Sequence, residues 1–176
     1  MTTYRRVSGD GEITSDDGSL SPEQVELLKR RCDAFPAFVA DSPVAAADFI
    51  RSILRVDAAP YLADFDLFID SIDEMVGHVV LDEGGRSFLV TRLLYFVAEY
   101  LIRRYRASWQ VDAVPFSRTF GQYVIDIPLD DKSLGTLRIS PYAVATDYVR
   151  RDPPRSLRTA LTSLAKQIEH ASSTAR

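Results

Sequence analysis

The chain is poor in the residues that most often carry covalent or metal chemistry. Among 176 residues it has one cysteine, Cys32, and two histidines, His78 and His170. A lone cysteine excludes an internal disulfide and fits a reducing compartment. No GxSxG elbow, Walker loop, GxGxxG fingerprint or HExxH pair occurs. The eight glycines lie in the first 18 residues, in the Gly84-Gly85 pair, or singly, so none builds a phosphate cradle. The first 20 residues lack the apolar core of a signal peptide, and no apolar run is of bilayer-spanning length. These absences lead us to expect a cytoplasmic protein without cofactor, membrane segment or catalytic centre.

Hydrophobic residues make up 46% of the chain and charged residues 26%, the balance of a globular protein able to bury a core. The net charge of −4 is unevenly spread. Residues 1–100 carry nine Lys/Arg against 18 Asp/Glu, and residues 101–176 carry 12 against seven. Such polarity can steer a charged partner, and it is also what two exposed faces of different composition would give.

Residues 1–20 are polar and aperiodic and read as a flexible lead to one domain over 21–176. Ser21-Pro22 with Gln24 has the pattern of a capping box, and Val25, Leu28 and Cys32 follow on one helical stripe. Cys32 therefore reads as a small buried hydrophobe. Ser-Pro recurs at Ser42-Pro43 and Ser140-Pro141, predicting two further helix starts. A long amphipathic helix is expected from Pro60, with Phe65, Phe68, Ile69, Ile72, Met75, Val76 and Val79 inward and Gly84-Gly85 as its stop. The apolar run after Arg86, with Leu89, Leu93, Phe96, Val97 and Leu101, is the expected central helix.

A two-residue period then takes over. Trp109, Val111 and Ala113 alternate with Gln110 and Asp112. Tyr123, Ile125 and Ile127 alternate with Gln122, Val124 and Asp126, and Leu137 and Ile139 with Thr136 and Arg138. The short links 114–118 and 129–135 imply antiparallel neighbours. Within the second run Gly121 marks a bulge or a close backbone approach. A last helix is expected from Asp152-Pro153. The fold class is α+β: a helical N-terminal half, a three-stranded antiparallel meander and two C-terminal helices.

Two charged clusters and one aromatic turn stand out. Asp66, Asp70 and Asp73 share one helical side, and Asp70, Glu74 and His78 follow an i, i+4, i+8 line. Carboxylates with a histidine suit a divalent metal, so Asp66, Asp70, Glu74 and His78 form the metal-assisted hydrolase alternative. They lie opposite the apolar stripe, however, where a solvated face belongs, and no matching ligand motif is found on another helix. Arg103, Arg104 and Arg106 end the central helix, where cations complement its dipole. Arg118, Arg150, Arg151, Arg155 and Arg158 could extend them into a patch for an acidic protein surface. The acidic total and the lack of a reading motif argue against nucleic acid. Phe116 and Phe120 flank Arg118 at the first strand-to-strand turn, an aromatic spot suited to a partner if exposed.

The succession EYLIRRYRASW, RTFGQYVIDIP, ISPYAVATDYV and PPRSL, over roughly 86–158, resembles small uncharacterised bacterial α+β proteins. The resemblance implies an apolar helix leading into a Trp-bearing strand, a hairpin and a Pro-plus-aromatic helix start, and it implies no catalytic residues. Some proteins of this size and acidic balance are immunity or adaptor proteins. The expected function is thus a non-catalytic module that binds another protein, of immunity, antitoxin or adaptor type, through Arg103, Arg104, Arg106, Phe116, Arg118 and Phe120.

Overall fold

The computed structural model describes residues 20–129 and 135–173, so the lead and the centre of the second hairpin lie largely outside the described residues. At Ser21 the reciprocal capping box forms: the Ser21 hydroxyl accepts the Gln24 N–H, and the Gln24 side chain accepts the Ser21 N–H. Helix α1 then runs Pro22–Leu54, 33 residues or about 50 Å.

The start expected at Ser42-Pro43 does not occur, because Pro36 and Pro43 both lie inside α1. Each removes a backbone donor from the helix. Beyond them α1 stays helical, its second half packed through Ala46, Ala47, Phe49 and Ile50. The buried Ser42 hydroxyl accepts the Trp109 Nε1–H at 3.1 Å instead of capping. The expected burial of Cys32 is also corrected: on that stripe Leu28 is half-buried, but Val25 is 53% exposed and Cys32 is exposed. In this half α1 meets the protein along a neighbouring face carrying Leu27, Phe35 and Phe38.

The long helix expected from Pro60 is broken. Helix α2 covers Ala59–Ala63 and α3 covers Phe65–Val76, joined at Asp64, whose side chain accepts the Asp66 N–H at 3.0 Å. The Gly84-Gly85 pair opens a helix rather than closing one. Asp82 caps α4, Glu83–Tyr105, by accepting the Gly85 N–H at 2.7 Å. The stop falls earlier, at Gly77, where an added Cβ would sit 2.7 Å from the Arg155 carbonyl oxygen. Met75 and Val79 lie around that stop and are half exposed, against expectation.

Strands β1 (Ser108–Val111), β2 (Tyr123–Pro128) and β3 (Thr136–Ile139) form an antiparallel sheet in the order β1-β2-β3. Trp109 pairs with Ile125, and Ile125 with Ile139, so one face supplies the core. Ser140 caps α5, Pro141–Arg150, as its Ser-Pro pattern predicts. The last helix, α6, spans Leu157–Ser173. It starts at Ser156 rather than Asp152-Pro153, since the Ser156 hydroxyl accepts the Thr159 N–H. The architecture is α+β, with a helical N-terminal half and two C-terminal helices.

Helix α4 is central, packed against α1, α5 and β2. Its neighbours Tyr95 and Phe96 enter different aromatic groups. Phe96 meets Phe65 and Phe68, which in turn meets Phe49. Tyr95 meets Phe38, which meets Trp109 edge-on at 4.8 Å and stacks on Tyr123 at 4.0 Å. Each fully buried ring of this kind contributes about 2–3 kcal/mol by removal from water. No helix among the described residues is long and apolar enough to cross a membrane.

Candidate functional site

The expected basic and aromatic residues fall into two places. Arg103 donates to the Leu62 carbonyl at 2.8 Å, stands over the Phe65 ring and lies 3.8 Å from the buried Glu99 carboxylate. It straps α4 to α2 and α3. Burial pushes the Glu99 carboxyl up, and Arg103 partly offsets this. Arg104 stands over Tyr100, and Arg106 is the exposed left-handed C-cap of α4. Phe116, Arg118 and Phe120 lie beyond β1, whose four residues cover about 13 Å. The larger basic patch does not assemble either. Arg155 is buried and donates to the Val149 and Val79 carbonyls, while Arg158 lies against α3.

The acidic side of α3 is exposed to solvent at Asp66, Asp70, Glu74 and His78, and along one edge it also docks the start of α6. Arg158 bonds Asp66 at 2.9 Å and Asp70 at 2.7 Å. Asp73 accepts the Ser156 hydroxyl at 2.7 Å and the Leu157 and Arg158 N–H groups, so its charge caps α6. Gly77, one turn further on, accepts the Arg155 N–H through its carbonyl. Glu74 and His78 are exposed, and the bonds to Ser156, Leu157 and Arg158 are made by Asp66, Asp70 and Asp73. Among the described residues no group of three or more His, Cys, Asp or Glu side chains is placed to hold a metal ion.

The loop after β1 is built on Asp112, placed by alternation on the polar side of its strand yet fully buried. Its carboxylate accepts the Ser117 and Thr119 hydroxyls, both at 2.6 Å, the Val114 N–H at 3.1 Å and an Arg138 N–H at 2.7 Å. Arg138 also forks onto Asp126, its partner across β2 and β3, with two bonds of 2.8 Å. Burial alone would push the Asp112 carboxyl up. The two hydroxyls, the N–H and the Arg138 charge hold it below its ordinary value. Hydrogen bonding to Asp126 leads the causes that raise Arg138 further above its ordinary value.

The backbone closes the same loop. Asp112 accepts the Gly121 N–H and donates to the Gln122 carbonyl, so two residues oppose one. With Gly121 at φ +71 this is a bulge with glycine at the left-handed position. A Cβ at Gly121 would also lie 2.8 Å from the Leu27 side chain, so the bulge and the close approach expected at this glycine coincide. At the tip, Phe116 has φ +63 and is 62% exposed, beside exposed Val114 and Arg118. Phe120 is half-buried.

Next to this loop lies a trough of about 310 Å³. Phe38, Leu94 and Trp109 line it with Tyr95, Tyr123 and Tyr142, and Arg31 and Gln122 stand at the exposed rim. No sequence pattern marks these residues as a site. Arg31, Phe38, Tyr95 and Tyr142 come from three helices, and no local spacing relates them. The Asp112 brace left a fainter signal: hydroxyl residues five and seven positions after an aspartate, in a turn. No family model, curated protein or solved structure matches this chain.

Proposed function

We propose that the chain is a non-catalytic module that binds another protein, of the immunity, antitoxin or adaptor kind, with the 112–121 loop as contact surface. The observation that carries this reading is Phe116. A bulky residue in the left-handed region costs about 1–2 kcal/mol relative to glycine, and an exposed ring recovers little of that by burial. Strain held in place by a buried brace marks a residue kept for a purpose other than folding. A rigid aromatic anchor with an exposed arginine beside it suits an apolar pocket with an acidic rim. The bonds around Asp112 would lower the ordering cost of binding. The reading also rests on the absence, among the described residues, of a paired nucleophile and base, and the lone exposed Cys32 fits a cytoplasmic setting.

The test is affinity capture with wild type and Phe116→Gly, read by mass spectrometry. Glycine relieves the strained dihedral but adds chain entropy to the unfolded state, so stability should rise by about 0.5–1 kcal/mol. Proteins captured specifically by wild type should fall at least about tenfold with the variant. Equal recovery of the same proteins by both would overturn the reading.

A further inference from the structure

We infer that the aromatic trough between α1, α4, α5 and the sheet is a second binding site, for a proline-rich segment in the polyproline II conformation. This rests on the reading of the chain as a protein-binding module, but it uses a different surface from Phe116. Trp109 and Phe38 form the floor, with Trp109 held by its bond to Ser42 and Phe38 wedged between Trp109 and Tyr123. The site is therefore rigid before any ligand arrives.

Its polar groups favour one kind of chain. The lining contains no carboxylate. Among the described residues the Tyr95 and Tyr142 hydroxyls, the Gln122 side-chain amide and the Arg31 guanidinium have no hydrogen-bond or ion-pair partner. The Tyr123 hydroxyl is already engaged, donating to the Arg31 carbonyl at 3.1 Å. A polyproline II segment makes no internal hydrogen bonds, so its carbonyls are free acceptors, and its prolines carry no N–H that would need an acceptor from the protein. Its compact pyrrolidine rings pack on aromatic faces, and its stiffness limits the entropy lost on binding. Arg31, over the Tyr123 ring at 5.5 Å, is placed to meet an acidic residue beside the prolines. An α-helix uses its carbonyls in its own hydrogen bonds, so it would leave these donors without backbone acceptors. A small ligand would be left exposed by a rim this open, since such ligands are normally mostly enclosed.

The experiment titrates the full chain with a capped decaproline peptide and, as control, a Gly-Ser peptide of equal length. Fluorescence of the only tryptophan, Trp109, is the readout. Decaproline should give a change that saturates below about 1 mM, and the Gly-Ser peptide none. Tyr142 is 51% exposed, so Tyr142→Ala should leave the thermal midpoint in place and weaken decaproline about tenfold. A glutamate added to the peptide should tighten binding to wild type but not to Arg31→Gln. No saturable change, an equal response to Gly-Ser, or undiminished binding by Tyr142→Ala overturns the inference, as does a response confined to a small aromatic acid. Phe116→Gly should bind decaproline as wild type does. If decaproline fails while Phe116→Gly still loses its captured proteins, only the trough falls. If decaproline binds while Phe116→Gly captures normally, only the loop reading falls.

Discussion

The acidic stripe of α3 and the loop after β1 both gather side-chain oxygens around a folded segment, yet one joins two helices and the other holds a phenylalanine out in solvent. On α3, three aspartates at helical spacing meet Arg158 and the start of α6 across a half-exposed contact. After β1, one aspartate is fully enclosed by four donors and fixes a tip with a left-handed aromatic residue. The stripe has the look of chemistry in the sequence and serves packing. The loop shows in the sequence as an aromatic turn without visible support, and it displays a strained, exposed ring on a buried brace. Density of charged residues is therefore a poor guide to a site here.

The sharpest way to break the contrast is Asp112→Ala. It leaves Arg138 one carboxylate short and strips the acceptor from two hydroxyls, a loss of about 3 kcal/mol. In a chain of this size that lowers the thermal midpoint by roughly 10 °C. The effect should depend on pH. Because the folded carboxyl sits below its unfolded value, its stabilisation is complete above about pH 4 and is lost as pH falls through the folded value. The gap in midpoint between wild type and Asp112→Asn should therefore narrow in acid. A gap constant down to pH 2 would show that the charge is not what holds the loop.

Asp73→Ala comes next, at about 1.5 kcal/mol, because it removes the cap of α6 while leaving the apolar contacts of Leu157 and Leu161 in place. Hydrogen exchange should rise first at residues 157–160, with the loop unaffected. The smallest effect belongs to Arg158→Gln. Its side chain is 45% exposed, so both ion pairs are screened and the loss is about 0.5 kcal/mol, shrinking further in high salt. A loss as large as that of Asp112→Ala would mean the stripe, not the loop, is the critical polar network.

Much of this architecture was legible in the residues. The alternation from Trp109 to Ile139 gave three strands, and two of the three Ser-Pro pairs began helices, because caps and period-two burial are local physics. Ser42-Pro43 failed for a non-local reason: the hydroxyl that would cap is bonded to an indole 67 residues away. Cys32 was misread because period 3.6 marks an apolar stripe without saying whether another element covers it. Gly84-Gly85 was misread because glycine tolerates either end of a helix, and here the Asp82 cap decided which.

The candidate basic and aromatic surface was only partly legible. Phe116 and Arg118 were named from their types at a turn, and they are exposed there; Arg103 was named too, and it is a strap within the fold. The sequence by itself determined the α+β class, the three successive strands, the helix starts at Ser21 and Ser140 and the bulge glycine at position 121, since each depends on neighbours within a few residues. Only the tertiary structure decided that Asp112 is a buried brace, that the aspartates of α3 dock α6, and that five aromatic side chains with Arg31 and Gln122 surround one trough. The reason is physical: a group's charge, exposure and partners are set by what packs over it, and those neighbours come from distant parts of the chain.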